Sequence, residues 1–309
     1  MFNIFEKRSW FFAFSAVLIA LSIAAMVASQ VQYGQPLRIG IDFTGGSIFV
    51  LTFEDAVSED GIREVLTDRG FEGAIVQSLG SPEENRWQVR TREVTAGEVG
   101  ELLDAFDAGV GIIDRDETTF DTVEPAVGAE VARAAGLAVL AASVAIMIFM
   151  WFSFRHIPKA ARYGLVTVVG LGHNMVIAFG FYALMGIIAG WEVDALFLTA
   201  TLTVIGFSVE DKIVVFDRIR ENIPKHPTES YETIANRSIL EVIHRSVATQ
   251  LAVISVLTAI ILFGGVTLRP FVSVLLIGVF TETYSAVLVA VPLLVMWEKA
   301  TQRRAASKR

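Results

Sequence analysis

The sequence contains no cysteine, which excludes disulfides, thiol catalysis and zinc sites built on thiolates. It has four histidines, at positions 156, 173, 226 and 244, too dispersed to suggest a metal cluster. Charged residues are scarce as well. They make up 19% of the 309 residues, where a soluble domain carries nearer a quarter. No nucleophile sits beside a base, and no His, Asp or Glu spacing matches a ligand set. Neither an enzyme nor a cofactor is therefore expected, and nothing points to nucleic acid.

Hydrophobic residues, by contrast, make up 53% of the chain, gathered into long runs. A bilayer-crossing helix needs about 20 apolar residues. Six stretches qualify, over residues 10–29, 132–152, 163–186, 195–216, 247–266 and 271–297. Pro292 lies inside the last and predicts a kink or tilt there. The first run follows Lys7 and Arg8 but is too long for the apolar core of a signal peptide, so it reads as a retained anchor.

The net charge of −8 hides an uneven split. Between Gln30 and Gly128 there are 20 acidic against 7 basic residues; the remainder holds 13 against 18. With six spans, every cluster of Lys and Arg falls on one side: Lys7 and Arg8, Arg155 to Arg162, Arg218 to Arg237, and the tail from Lys299 to Arg309. Basic loops stay cytoplasmic. The expectation is a multi-pass protein of the bacterial inner membrane with both termini inside and the acidic segment outside. Its organisation reads as a first helix over 1–30, an outer domain over 31–128 and a five-helix bundle with a basic tail over 129–309.

The outer segment is large enough to fold by itself. Strands are predicted over 39–53, 73–79, 87–92 and 118–124, with helices over 58–69 and 95–106. Ser58 is placed to cap the first helix, and Thr95 with Glu98 forms a capping-box pattern on the second. The polar residues 80–85 form the turn between the middle strands. The order βαββαβ implies a small α+β domain of ferredoxin-like type inserted in an α-helical membrane protein. Residues 231–244 mix polar with apolar positions and predict an amphipathic helix at the inner interface, before the fifth span. The small residues crowding the second and third spans fit either internal packing or a partner helix.

Three stretches carry a resemblance to a known family. The first is Gly40-Ile41-Asp42-Phe43-Thr44-Gly45-Gly46, after the first span. The second is Val123-Glu124-Pro125-Ala126-Val127-Gly128-Ala129-Glu130, before the second. The third is the run from Gly206 to Asn222, Gly-Phe-Ser-Val-Glu-Asp-Lys-Ile-Val-Val-Phe-Asp-Arg-Ile-Arg-Glu-Asn, closing the fourth. Together they resemble SecF of the SecD/SecF family, within the resistance-nodulation-division superfamily. That resemblance implies a SecD partner with six further helices, association with the SecYEG translocon, and an unfolded preprotein as cargo. It also implies coupling of proton flow to late-stage export across the bilayer. Half of a proton-driven exporter of small molecules or lipids is the alternative within the same superfamily.

The family motif Asp42, Phe43, Thr44, Gly45, Gly46 lacks the Lys-Ser/Thr that a phosphate loop needs, and reads instead as a tight turn that uses paired glycines. Glu210, Asp211 and Lys212 interrupt an apolar span, where a charge costs about 3 kcal/mol. Asp211 lies about 24 Å along the helix from Ala195. Four apolar residues follow before Asp217, so either the helix continues with Asp211 inside the bundle, or these charges mark a helix end. An ionised carboxylate removed from water loses solvation, which favours taking up a proton. Asp211 and Arg245 match the pair that the resemblance implicates in proton conduction. Lys212 could neutralise Asp211 or Glu210 instead.

Several positions depart from the SecF pattern. Glu210 and Lys212 stand where Asn and a small polar residue are usual, Asn174 where Asp is common, and Glu282 where Gly is usual. His173 lies about 15 Å into the third span and Glu282 about 16 Å into the sixth, both near the midplane. A carboxylate lost beside His173 and gained at Glu282 reads either as one proton-binding group relocated, or as a Glu282 simply hydrogen-bonded within the bundle, for instance to Thr281, Thr283 or Tyr284 of neighbouring turns.

Overall fold

The apolar runs fold as long helices whose burial separates a central set from a peripheral one. In the computed structural model residues 4–79, 84–155 and 161–306 are described, with the side chains of 266, 305 and 306 set aside. The predicted turn at 80–85 therefore lies mostly outside them, as do Lys159 and residues 307–309 of the basic tail.

Helix α1 covers Arg8–Tyr33 and stops at Gly34, which takes a left-handed conformation. The helical turn α2 (Ile41–Thr44) is followed by β1 (Gly46–Thr52). This corrects the single strand expected over 39–53. Gly45 and Gly46 have φ of +74° and +121°, a region that disfavours residues with a Cβ, so the strand begins only at Gly46. Thr44 reinforces the turn by donating from Oγ1 to the Gly40 carbonyl at 3.1 Å.

Next come α3 (Glu59–Asp68), β2 (Ile75–Leu79), β3 (Arg86–Thr91), α4 (Ala96–Gly109) and β4 (Thr119–Val123). Ser58 Oγ caps α3 by accepting from Gly61 N at 3.2 Å. Thr95 and Glu98 form the predicted capping box on α4. The Thr95 N–H bonded to the Glu98 carboxylate holds that carboxyl below its ordinary range. The four strands form one sheet in the order β2-β3-β1-β4, every neighbouring pair antiparallel. Phe49, Leu51 and Phe53 alternate onto one face and pack with Ile62 and Leu66 of α3 and Leu102 and Phe106 of α4.

The chain then runs through α5 (Pro125–Phe154), α6 (Ala161–Ala189), α7 (Ala195–Lys225), α8 (Tyr231–Phe263), α9 (Arg269–Ser285) and α10 (Val291–Ala306). The interfacial helix expected over 231–244 is not separate. It is the first part of α8, because no Gly or Pro interrupts the backbone between Tyr231 and Phe263. Between α9 and α10 the backbone is π-helical over Ala286–Ala290. The wider turn accommodates Pro292, whose ring opposes the carbonyl four residues back and which cannot donate to it.

Among the described residues five segments are long and apolar enough to cross a membrane: Ile4–Tyr33, Pro125–Phe154, Ala161–Ala189, Tyr231–Phe263 and Arg269–Arg304. The sixth expected span, α7, has the length but carries Glu210, Asp211 and Lys212 at its middle. The first, second and fourth segments bury only 11% of their apolar windows in the chain; α6 and the last bury 56% and 67%. Large side chains such as Leu140, Phe149, Trp151 and Leu251 point outward. Lipid accepts such surfaces and water does not. The helical core includes an aromatic group in which Tyr163 stacks on Phe154 at 5.4 Å and meets Phe216 edge-on at 5.2 Å.

Candidate functional site

Helical periodicity sorts the three charges of α7. Successive residues point about 100° apart, and the helix turns Ser208, Asp211, Lys212 and Val215 inward while Glu210 is exposed. Asp211 thus lies inside the bundle on a helix that continues to Lys225, as the four apolar residues after Lys212 predict.

Lys212 is fully buried, and its Nζ lies 2.5 Å from Glu282 Oε2 of α9, itself 0% exposed. The ammonium also donates to the Ser208 carbonyl at 2.6 Å. Gly170 of α6 makes room for the stem: a Cβ there would lie 2.5 Å from Lys212 Cε. A buried charge is tolerated only when paired and hydrogen-bonded, and both conditions hold for the ammonium. Glu282 is less fully satisfied, because its Oε1 is buried without a hydrogen-bond partner among the described residues.

The pair continues into a polar chain. Asn174 Nδ2 donates to Glu282 Oε2 at 2.6 Å and lies 3.0 Å from Ser208 Oγ. Its Oδ1, which only accepts, faces His173 Nδ1 at 3.0 Å. Opposite that acceptor Nδ1 carries the imidazole hydrogen, and the single lone pair of Nε2 faces Ser15 Oγ at 2.5 Å, with Tyr284 OH 3.2 Å away. Ser15, His173, Asn174, Glu282 and Lys212 form one hydrogen-bonded line across α1, α6, α9 and α7. Glu282 is hydrogen-bonded within the bundle, to Asn174 and Lys212 in place of the neighbouring Thr281, Thr283 or Tyr284; Tyr284 faces His173.

Asp211 stands beside this line, 4% exposed. Its Oδ2 accepts from Gln250 Nε2 of α8 at 3.0 Å. Arg245 does not reach it. The guanidinium is exposed, because α8 turns Ser246 and Gln250 inward and Arg245 away. The expected Asp211–Arg245 pair is thus absent among the described residues, and Lys212, paired with neither Asp211 nor Glu210, is the buried cation. Sequence reasoning offered Lys212 only Asp211 or Glu210 as partners, and it missed Ser15, Ser208 and Gln250. The available signal was a lysine in an apolar span with small residues at the depth of its stem.

The Gly-Gly motif is a separate structure. Asp42 Oδ2 accepts from Ala195 N at 2.8 Å, and Gly40 N donates to Val193 O at 2.7 Å. Arg90 pairs with Glu192 in the same cluster. A Cβ on Gly45 would lie 2.5 Å from Pro125 Cα, so the first two recognised stretches pack against each other. Among the described residues no three His, Asp or Glu side chains converge as a metal site.

The chain matches the family described as protein export membrane protein SecD/SecF, C-terminal, over residues 107–300, and the SecD/SecF GG motif over residues 33–57. It is 39% identical to the protein translocase subunit SecF of Anaerolinea thermophila, over 98% of this chain and 96% of that one. Identity to the SecF subunit of Vibrio alginolyticus is 33%, over 92% and 88% of the two chains. The crystal structure of SecDF, a translocon-associated membrane protein from Thermus thermophilus, superposes with a TM-score of 0.80 at 28% identity. A second solved SecDF, in a super-membrane-facing form, gives 0.69 at 29%. They cover 96% and 100% of this chain, which spans only 39% and 40% of the respective SecDF chains. The chain belongs to the SecD/SecF family as a SecF subunit of the protein export machinery, a multi-pass membrane transport protein and not an enzyme.

Proposed function

We propose that this SecF subunit works with SecD at the SecYEG translocon and couples inward proton flow to late-stage release of an unfolded preprotein. The observation that carries this reading is the fully buried Lys212–Glu282 pair, extended through Asn174 to His173. Two carboxylates and one ammonium lie together there. With all three ionised the cluster carries one uncompensated negative charge, which a single proton neutralises. Asp211 and Glu282 are the proton-binding carboxylates in this reading, His173 the relay toward α1, and Lys212 the fixed counter-charge. Glu282 takes the place of the carboxylate absent at Asn174. Arg245 meets Asp211 only in a second conformation of the bundle, in which α8 has rotated.

The membrane arrangement belongs to the same reading. With α7 as the sixth span, both termini are cytoplasmic and the sheet domain is periplasmic, its strand order that of a ferredoxin-like fold. One charge crossing about 100 mV releases about 2.3 kcal/mol, enough to shift a domain between two arrangements of similar energy. The test is proton flux and preprotein export in vesicles carrying this chain with SecD and SecYEG. Asp211→Asn and Glu282→Gln are each expected to abolish proton-dependent export while the protein stays inserted. Normal flux through both variants would refute the reading.

A further inference from the structure

The charge that the buried cluster leaves out is Glu210. It is exposed on α7, about 22 Å along the helix from Ala195. Asp211 and Lys212 turn inward, and Ile213, Val214, Val215 and Phe216 then precede Asp217, so a full apolar turn separates this level from the polar end of the helix. No described residue gives it an ion pair or hydrogen bond. An ionised carboxylate facing hydrocarbon at this depth is costly, and such residues ordinarily face protein.

Glu210 lies in a groove of about 450 Å³ between α5 and α7, walled by Ala145, Ile146 and Phe149 on one side and Gly206 and Ile213 on the other. A Cβ on Gly206 would meet nothing within 4 Å. The glycine, one turn before Glu210, therefore leaves backbone open to close approach by a helix. An acyl chain could fill the apolar walls but offers nothing to the carboxylate. A second copy seated by two-fold symmetry would bring the two Glu210 side chains together, which like charge opposes. What fits is a helix from a different chain that presents a cation at this level.

We infer that the α5–α7 groove seats a transmembrane helix of SecD, whose Lys or Arg side chain pairs with Glu210. The inference rests on the SecD partnership proposed above, and on the three-fifths of the solved SecDF chains that lie outside this one. The experiment places benzoylphenylalanine at Ile213 of the full chain, co-expressed with its SecD, and illuminates the membranes. SecD recovery by affinity purification is measured in parallel for wild type, Glu210→Gln and Glu210→Lys. The expected result is a SecD adduct mapping within one helical turn of a Lys or Arg. Recovery should fall at least tenfold for Glu210→Lys, and less for Glu210→Gln. An adduct on a SecD segment without a basic residue, or recovery unchanged by Glu210→Lys, overturns the charge pairing. Adducts with lipid alone, while wild-type SecD still copurifies, overturn the groove as docking surface but leave the partnership standing. Failure of wild-type SecD to copurify removes both.

Discussion

Replacing Lys212 by methionine removes the ammonium while keeping the length of the stem that crosses Gly170. Glu282 would then be a fully buried carboxylate with Asn174 as its hydrogen-bond donor. Breaking one side of a buried pair costs about 3–5 kcal/mol. The retained Asn174 bond offsets about 1 kcal/mol of that, which leaves about 2–4. Glu282→Gln strands the ammonium instead. The Ser208 carbonyl and the new amide oxygen remain to it, so a similar loss is expected. The double variant has no unpaired charge and should lie within about 2 kcal/mol of wild type, since replacing a whole buried pair is often close to neutral. Single losses that sum to about 4–8 against at most about 2 for the double give a coupling of at least about 2 kcal/mol. The assay is equilibrium unfolding in mixed micelles with rising SDS fraction, followed by tryptophan fluorescence. Losses that add within about 0.5 kcal/mol would refute the pairing of Lys212 with Glu282.

Gly170→Ala is expected to destabilise by about 1–3 kcal/mol, because the added methyl meets a stem with nowhere to move. In a Lys212→Ala background that loss should largely vanish in the same unfolding assay. The sheet domain should be acid-labile through Glu98 and Asp107. The first is held below the ordinary carboxylate range by the Thr95 backbone, the second by Arg115 and then the Ile113 N–H. A carboxyl lowered in the folded state adds stability above its unfolded value, about 4, and loses it as pH falls through the folded one. Amide exchange over residues 46–123 should therefore quicken below about pH 4, and Asp107→Asn should flatten that dependence.

Features of the fold set by neighbouring residues were legible before any coordinates. Ser58 and the Thr95–Glu98 box are defined by hydrogen bonds three residues apart, and both formed where the pattern put them. Where the reading failed, it took a change in polarity for a change in backbone. Residues 231–244 are more polar than those after them, yet a helix needs only continuous backbone hydrogen bonds, and α8 runs through the boundary. At 39–45 the error ran the other way, with β-prone residues counted as strand although the glycines at 45 and 46 leave the β region.

The site separates what helix geometry can predict from what it cannot. Rise per residue gives depth, and depth alone put His173 and Glu282 near one level. They share that level through Asn174, which lies within hydrogen-bond distance of both. Depth also put Asp211 beside Arg245, and there it failed, because a level fixes no azimuth: α8 presents Gln250 to Asp211 and turns Arg245 outward. The departures at 174, 212 and 282 make sense only jointly. An amide at 174 supplies a donor where an acid would repel Glu282. The carboxylate at 282 gives Lys212 its partner, and the bare backbone of Gly170 gives the lysine stem its passage. Each looks like a defect when read along one helix, since it adds a charge or removes one in an apolar run. Read across α6, α7 and α9, together they place a carboxylate one hydrogen bond from where the chain lacks it, and a cation 2.5 Å from that carboxylate.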